Sequence, residues 1–187
     1  MKTSARDAAL ADPATAGWRQ ALQERVPLFG HRNWIVVADS AYPAQSRAGI
    51  ETMVSSADHV EVLQEVLAAV FGSGHVRPVV YTDQELELVE EDDAPGISAY
   101  RRRLAALLED YATNVRPHEQ IISALDQAGQ TFRVLIIKTN MTIPYTSVFL
   151  ELDCGYWDAD AERRLRDAIG GHLRQGRIAG TSSGEAG

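Results

Sequence analysis

The run Trp34-Ile35-Val36-Val37-Ala38 restricts the fold most, because five apolar residues, most of them β-branched, follow one another without a polar interruption. Such a run predicts a strand that is buried on both faces of a sheet. Gly30 and His31 precede the strand, Asp39 ends it, and a loop containing Pro43 follows. The predicted strand thus has a histidine at one end and a carboxylate at the other, and rigid elements hold catalytic groups better than loops do.

Further strands alternate with helices along the rest of the chain. Strands are expected at 76–82, 132–138 and 146–152, helices at 15–28, 58–72, 97–112, 117–129 and 158–174, and a long loop at 40–57. This order predicts an α/β fold: a single domain over residues 15–175, with a largely parallel sheet flanked by helices. Residues 1–14 are expected to be flexible, and residues 176–187 to form a disordered tail rich in Gly, Ser and Ala.

Composition narrows the class of partner. The net charge of −8 at pH 7 and a pI of about 5.1 argue against general nucleic-acid binding and against docking on an anionic membrane. A neutral small molecule, such as a sugar or nucleoside, fits this charge best. The single cysteine, Cys154, cannot form an internal disulfide, which predicts a cytoplasmic protein. No stretch approaches the roughly 18 apolar residues of a membrane helix or contains a signal-peptide core.

His31 and Asp39 are the first candidate site residues. Histidine suits acid/base work near neutral pH, but His31 could instead satisfy a backbone group of its loop. Asp39 follows a strand, and ligands of open α/β sheets lie beyond the carboxyl ends of strands. The alternative for Asp39 is a turn-forming or helix-capping carboxylate.

His118 and Tyr145 are the second pair of candidates. His118 opens a predicted helix, whose dipole favours a neutral imidazole that can both donate and accept a hydrogen bond. Tyr145 follows Pro144 at a predicted strand start, where it can stack on a sugar and offer its hydroxyl. The alternatives are a surface histidine and a tyrosine packed in the core.

Other chemistry has little support in the sequence. His59, His75 and His172 are interpreted as surface residues. No HxxxH, HExxH or CxxC spacing points to a metal site, and no Gly-rich phosphate motif follows a strand. We therefore expect neither a metal nor a nucleotide cofactor.

Two blocks of the sequence resemble the D-ribose pyranase and L-fucose mutarotase family. The first is Gly30-His31 followed by the strand, Asp39 and Pro43, with the histidine and aspartate eight positions apart. The second, residues 138–147, resembles the family's final motif of a basic residue, a small residue, Gly-Glu, two residues and Pro-Tyr-Ala-Asn. Asn140-Met141 replaces the usual Gly-Glu, and Thr146-Ser147 replaces Ala-Asn. His118 resembles the histidine that opens the preceding helix in the ribose-type members.

The resemblance implies a D-ribose pyranase-like fold and a cofactor-free isomerase that interconverts ring forms or anomers of a free monosaccharide. By this resemblance His31 is the proton donor, and Asp39, His118, Tyr145 and Ser147 hold sugar hydroxyls. Family members form rings, often decamers, with sites shared between subunits, so a homo-oligomer is expected. Two alternatives remain: a non-catalytic sugar-binding module of the same fold, and a structural oligomeric scaffold.

Overall fold

Helices and strands alternate through residues 13–180, the part of the chain that the computed structural model describes. The helices are α1 Pro13–Arg25, α2 His59–Ser73, α3 Ile97–Leu107, α4 His118–Ala128 and α5 Ala159–Gly180. The strands are β1 Trp34–Ala38, β2 Ile50–Val54, β3 Val76–Asp83, β4 Thr113–Arg116, β5 Val134–Lys138 and β6 Val148–Cys154. The predictions of flexibility for residues 1–12 and of disorder for residues 181–187 lie outside the described residues, as does the side chain of His172.

The strands form one six-stranded sheet in the order β2-β5-β1-β6-β3-β4. The pairs β1 with β5, β2 with β5 and β3 with β4 are parallel. Only β6 runs the other way, because it pairs antiparallel with both β1 and β3. The other five strands therefore end at the same edge of the sheet, where open α/β sheets bind their ligands. The predicted α/β fold with a largely parallel sheet is confirmed.

β1 is buried on both faces, as its apolar run predicts, with every residue at most 4% exposed. Ile35 and Val37 belong to the core cluster formed with α1, α2 and α3. Trp34, Val36 and Ala38 belong to a second cluster, which α4 closes on the opposite face. Helices on both faces thus explain why the strand contains no polar residue.

Capping residues determine the ends of α2. The Asp58 carboxylate accepts hydrogen bonds from the backbone N–H groups of Val60 and Glu61 at 3.0 and 3.1 Å, which confirms the predicted start. Gly74, at φ 69°, is the C-terminal cap, so the helix continues past the predicted stop at Gly72. None of the described helices is both long and apolar enough to cross a membrane.

The predictions for residues 40–57 and for His59 are wrong, and one strand was not predicted. The predicted loop 40–57 contains β2, and residues 113–116 form β4, which was not predicted. Both are edge strands; β4 is largely exposed and β2 is partly exposed. His59 is fully buried rather than on the surface, and its Nε2 lies 3.1 Å from the Val37 carbonyl oxygen. His75 is half-buried, with its ring nitrogens near the carbonyl oxygens of Phe29 and Ser73, so it too has a structural environment.

Candidate functional site

A cavity of about 520 Å³ lies beyond the carboxyl end of β1. Three of the predicted site residues, Asp39, His118 and Tyr145, line it. Asp39 comes from the end of β1, His118 from the first turn of α4, and Tyr145 from the turn that leads into β6. The fold therefore brings together side chains from three parts of the chain, the outermost of which, Asp39 and Tyr145, are 106 positions apart in the sequence.

Asp39 is held by its own loop and by β6. One carboxylate oxygen, Oδ1, accepts a hydrogen bond from the Ala41 backbone N–H at 2.8 Å. The other, Oδ2, accepts one from the Ser147 hydroxyl at 3.1 Å. Ser147 is only 3% exposed and is absent from the residues that line the cavity. Its hydroxyl therefore orients the Asp39 carboxylate.

His118 is fixed through both its backbone and its ring. The carboxylate of Glu85 accepts a hydrogen bond from the His118 backbone N–H, at 3.0 Å to the nearer oxygen. The ring nitrogen Nδ1 lies 3.0 Å from Oδ2 of Asp83. An ionised carboxylate can only accept, so the proton is on Nδ1 and a neutral His118 has Nε2 free to accept from a ligand. The side chain is 30% exposed, which leaves the ring within reach of the cavity.

Asp83 contacts a predicted site residue, His118, and was not itself predicted as part of the site. Its side chain is fully buried, and desolvation raises its pKa to about 6 even though the hydrogen bond from His118 lowers it. Its second oxygen, Oδ1, has no hydrogen-bond partner among the described residues. The available signal was position, because Asp83 ends β3 as Asp39 ends β1. The predicted strand stopped at Thr82, one residue too early.

Tyr145 occupies an unusual backbone conformation, with φ at 58°. Left-handed φ values are uncommon for bulky residues and persist where the surrounding structure enforces them. Here the Thr146 hydroxyl donates to the Ile143 carbonyl oxygen at 2.8 Å. The buried Tyr100 hydroxyl donates to the Thr146 carbonyl oxygen at 2.7 Å. The turn holds the Tyr145 ring edge-to-face against His118, with the centroids 5.5 Å apart. Tyr145 is 39% exposed, so it is not a core residue.

Within one chain, His31 does not line this cavity. It is exposed and lies before β1, whereas Asp39 lies after it, and five strand residues alone span roughly 16 Å. His31 lines a separate cleft of about 550 Å³, together with residues of β3, β6 and the start of α5. The strand thus separates the predicted proton donor from the other predicted site residues.

A third cavity, of about 400 Å³, lies between α4 and the sheet. Its wall includes the stacked rings of Trp34 and Tyr81 and the guanidinium of Arg116, which lies over Tyr81. None of the predicted site residues lines it. Among the described residues, no group of three or more His, Cys, Asp or Glu side chains is arranged to hold a metal ion.

No protein-family model matches the sequence, and no curated protein matches it significantly. Among solved structures, the chain is similar to RbsD of Bacillus subtilis complexed with D-ribose, with 14% identity and a TM-score of 0.48, over 82% of this chain and 98% of that one. It is also similar to the fucose mutarotase of Streptococcus pneumoniae in complex with L-fucose, with 20% identity and a TM-score of 0.44, over 71% of this chain and 91% of that one.

A third similar structure is FucU of Bifidobacterium longum, with 14% identity and a TM-score of 0.47, over 72% of this chain and 92% of that one. Proteins of the family that the two sequence blocks resemble are thus among the solved structures similar to this chain.

Proposed function

We propose that this protein is a cofactor-free monosaccharide pyranase or mutarotase, which interconverts ring forms or anomers of a free aldose by acid/base catalysis. The observation that carries the proposal is the cavity in which Asp39, His118 and Tyr145 converge. Asp39 and His118 are each hydrogen-bonded to a second side chain, and the Tyr145 ring packs against His118. A carboxylate, an imidazole and a phenol offer acceptors and a donor for sugar hydroxyls without a surplus of positive charge. This set suits a neutral polyhydroxyl ligand.

In the proposed reaction, the anomeric hydroxyl of the sugar loses a proton and the ring oxygen gains one. The bond between the anomeric carbon and the ring oxygen then breaks, giving the open-chain aldehyde. Rotation followed by reclosure on the same or another hydroxyl gives a new anomer or ring size. One positioned acid/base group typically contributes about 10²–10⁴-fold to such a step.

We assign His118 as the base in this scheme. Its free Nε2 accepts the anomeric proton, and the Asp83 carboxylate stabilises the resulting imidazolium through Nδ1. Asp39, held by Ser147, accepts hydrogen bonds from neighbouring hydroxyls. Tyr145 contacts the ring face and supplies its hydroxyl, and its contact with His118 keeps the two side chains in one arrangement.

The proton donor, His31, comes from a second copy of the chain in this proposal. The distance imposed by β1 prevents His31 from reaching the cavity of its own chain. A homo-oligomer that places the His31 cleft of one copy over the Asp39 cavity of the next would complete the site. A ring with head-to-tail contacts supplies this arrangement at every interface. The single cysteine and the charge balance suit a cytoplasmic enzyme of this kind.

A non-catalytic sugar-binding module is the second candidate function. Its supporting observations are Asn140-Met141 in place of the family's Gly-Glu and the hydroxyl of Ser147, which bonds to Asp39. Such a module would bind a sugar without accelerating its exchange.

Two-dimensional exchange NMR with D-ribose, L-fucose and other aldoses tests the proposal. Catalytic amounts of wild-type protein should accelerate exchange between anomers or ring forms, and His31→Ala and His118→Ala should each remove most of the acceleration. Phe71→Ala, an exposed aromatic on α2 outside both clefts, is the control and should behave as wild type. Sugar binding without any acceleration would favour the binding module instead.

A further inference from the structure

Two large aromatic side chains are exposed where the chain leaves the sheet for α5. Tyr156 is 79% exposed and Trp157 is 43% exposed. Both line the cleft that contains His31. The cleft therefore combines the imidazole of His31 with an indole and a phenol, and neither aromatic residue has a role in the site described above.

The indole of Trp157 is held in place. Its Nε1–H donates a hydrogen bond to Oε2 of Glu162 at 2.9 Å. Glu162 is itself held by Arg166, whose Nε donates to Oε1 at 2.6 Å. Asp158 accepts a hydrogen bond from the Ala161 backbone N–H at 2.6 Å, which fixes the first turn of α5. Because its only donor is occupied, the indole can offer a ligand only its apolar ring.

The charged groups of the cleft favour a neutral ligand. Its wall contains the carboxylates of Asp153, Asp158 and Glu162. Arg77 is paired with Asp153, with its Nη2 and Nε atoms 2.6 and 3.0 Å from Oδ2. Glu162 is likewise paired with Arg166. The residues that line the cleft therefore offer a phosphorylated or carboxylated ligand no unpaired guanidinium, whereas they do offer carboxylates. Their oxygens are acceptors for hydroxyl groups.

We infer that this cleft is a recognition subsite for a neutral sugar, in which Trp157 is the stacking platform and the carboxylates of α5 and β6 accept hydroxyl protons. A sugar ring has an apolar face and polar edges, and the cleft offers a fixed aromatic surface beside acceptors. The inference rests on the proposed function in one respect: His31 lies in this cleft, so the same sugar would contact Trp157 and the proton donor. The segment after β6 would then be a specificity element of the shared site.

Calorimetric titration of the full chain with D-ribose, L-fucose and D-ribose 5-phosphate tests this inference. Trp157→Ala should weaken binding of the neutral sugar that wild type binds best by about tenfold, the effect expected from losing one aromatic contact. Trp157→Phe should retain most of the affinity, because it keeps an aromatic ring. The matched control Phe71→Ala, also an exposed aromatic, should bind as wild type does.

Intrinsic fluorescence gives a second readout. The chain has 3 tryptophans, of which Trp18 and Trp34 are only 2% and 4% exposed. A saturable change in emission on adding a neutral sugar should therefore come from Trp157 and be absent from Trp157→Phe. The inference is overturned if Trp157→Ala binds neutral sugars as wild type does, if D-ribose 5-phosphate binds more tightly than D-ribose, or if wild type binds no neutral sugar.

The failures of the two proposals are distinguishable. Sugar exchange that depends on His31 but is insensitive to Trp157→Ala leaves the catalytic proposal standing and removes the subsite. Sugar binding that depends on Trp157, with no acceleration of exchange by any variant, removes the catalytic proposal and supports the subsite.

Discussion

At the residue scale, Asp83 is the group whose environment departs most from what a carboxylate prefers. It is fully buried, one oxygen has no partner, and the other is bound to His118. A buried acid with a raised pKa is more easily protonated in the folded than in the unfolded state. Ionised Asp83 therefore destabilises the fold at neutral pH, a cost that proteins often tolerate at functional sites.

Asp83→Asn should raise stability at pH 7 and lower activity. The amide oxygen can still accept from His118 Nδ1, but the buried charge is gone. The pKa of Asp83 is about 6 in the folded state against an ordinary 3.8. The free energy of unfolding of Asp83→Asn should therefore exceed that of wild type by about 1–2 kcal/mol at pH 7, and the difference should vanish as the pH falls towards 4. Urea unfolding at pH 7, 6 and 5 measures this difference in stability. Sugar exchange should slow in the variant, because the His118 imidazolium loses its counter-charge. A variant less stable than wild type at pH 7 would contradict this reading.

His59 is a titratable residue with the opposite pH dependence. Desolvation lowers its pKa to about 4 from 6.5, so the buried ring is neutral and Nε2–H donates to the Val37 carbonyl oxygen. The unfolded state takes up a proton between pH 6.5 and 4 before the folded state does. Wild-type stability should therefore fall as the pH falls through this window, by up to about 3 kcal/mol from this residue.

His59→Gln should remove this pH dependence. Glutamine can donate to the same carbonyl oxygen but does not titrate. The variant should therefore be less stable than wild type at pH 7, and the gap between their free energies of unfolding should narrow towards pH 4. Chemical unfolding at pH 7, 6 and 5 provides the comparison. A gap that stays constant over this range would show that His59 is not the acid-sensitive group.

At the element scale, the turn before β6 combines backbone strain with a role in the site. Tyr145 has a left-handed φ of 58°, a conformation that asparagine tolerates better than tyrosine does. Tyr145→Asn should therefore keep the melting temperature or raise it slightly, while weakening sugar affinity by about tenfold through loss of the aromatic contact. Thermal melts and calorimetry on the same samples separate the two effects. A lower melting temperature would mean that the Tyr145 ring is chiefly structural.

Sequence periodicity predicts the central elements well because burial constrains them. β1 could be predicted from its apolar run, and the start of α2 from the Asp58 cap. β2 and β4 could not, because these edge strands are at least partly exposed and carry no continuous apolar pattern. His59 was misjudged because its burial depends on β1 and α3, which pack against it from distant parts of the chain.

The residues of the site also differ in how far the sequence could predict their positions. Asp39 could be proposed from its place after a parallel strand, but the family resemblance was what grouped it with His118 and Tyr145. The pairing of Asp83 with His118 depends on tertiary contact over 35 positions, which no local pattern encodes. Ser147 was placed at the sugar by resemblance alone, whereas in the structure it holds Asp39.

At the scale of the whole molecule, the length of β1 is the observation behind the proposed homo-oligomer. His31 lies before the start of β1 and Asp39 lies after its end, so one chain cannot bring both to one sugar. If both groups act in one reaction, the active species has at least two copies. The cleft around His31 would then face the cavity of the neighbouring copy.

Mixing two inactive variants tests this central claim most directly. His31→Ala and His118→Ala, each inactive alone, are unfolded and refolded together, and sugar exchange is measured by NMR. Random assembly should restore about a quarter of the wild-type activity, because that fraction of interfaces pairs an intact His31 with an intact His118. Refolding each variant alone is the control and should restore none. A co-refolded sample that forms mixed oligomers but remains inactive, while wild type is active, would contradict a site shared between copies.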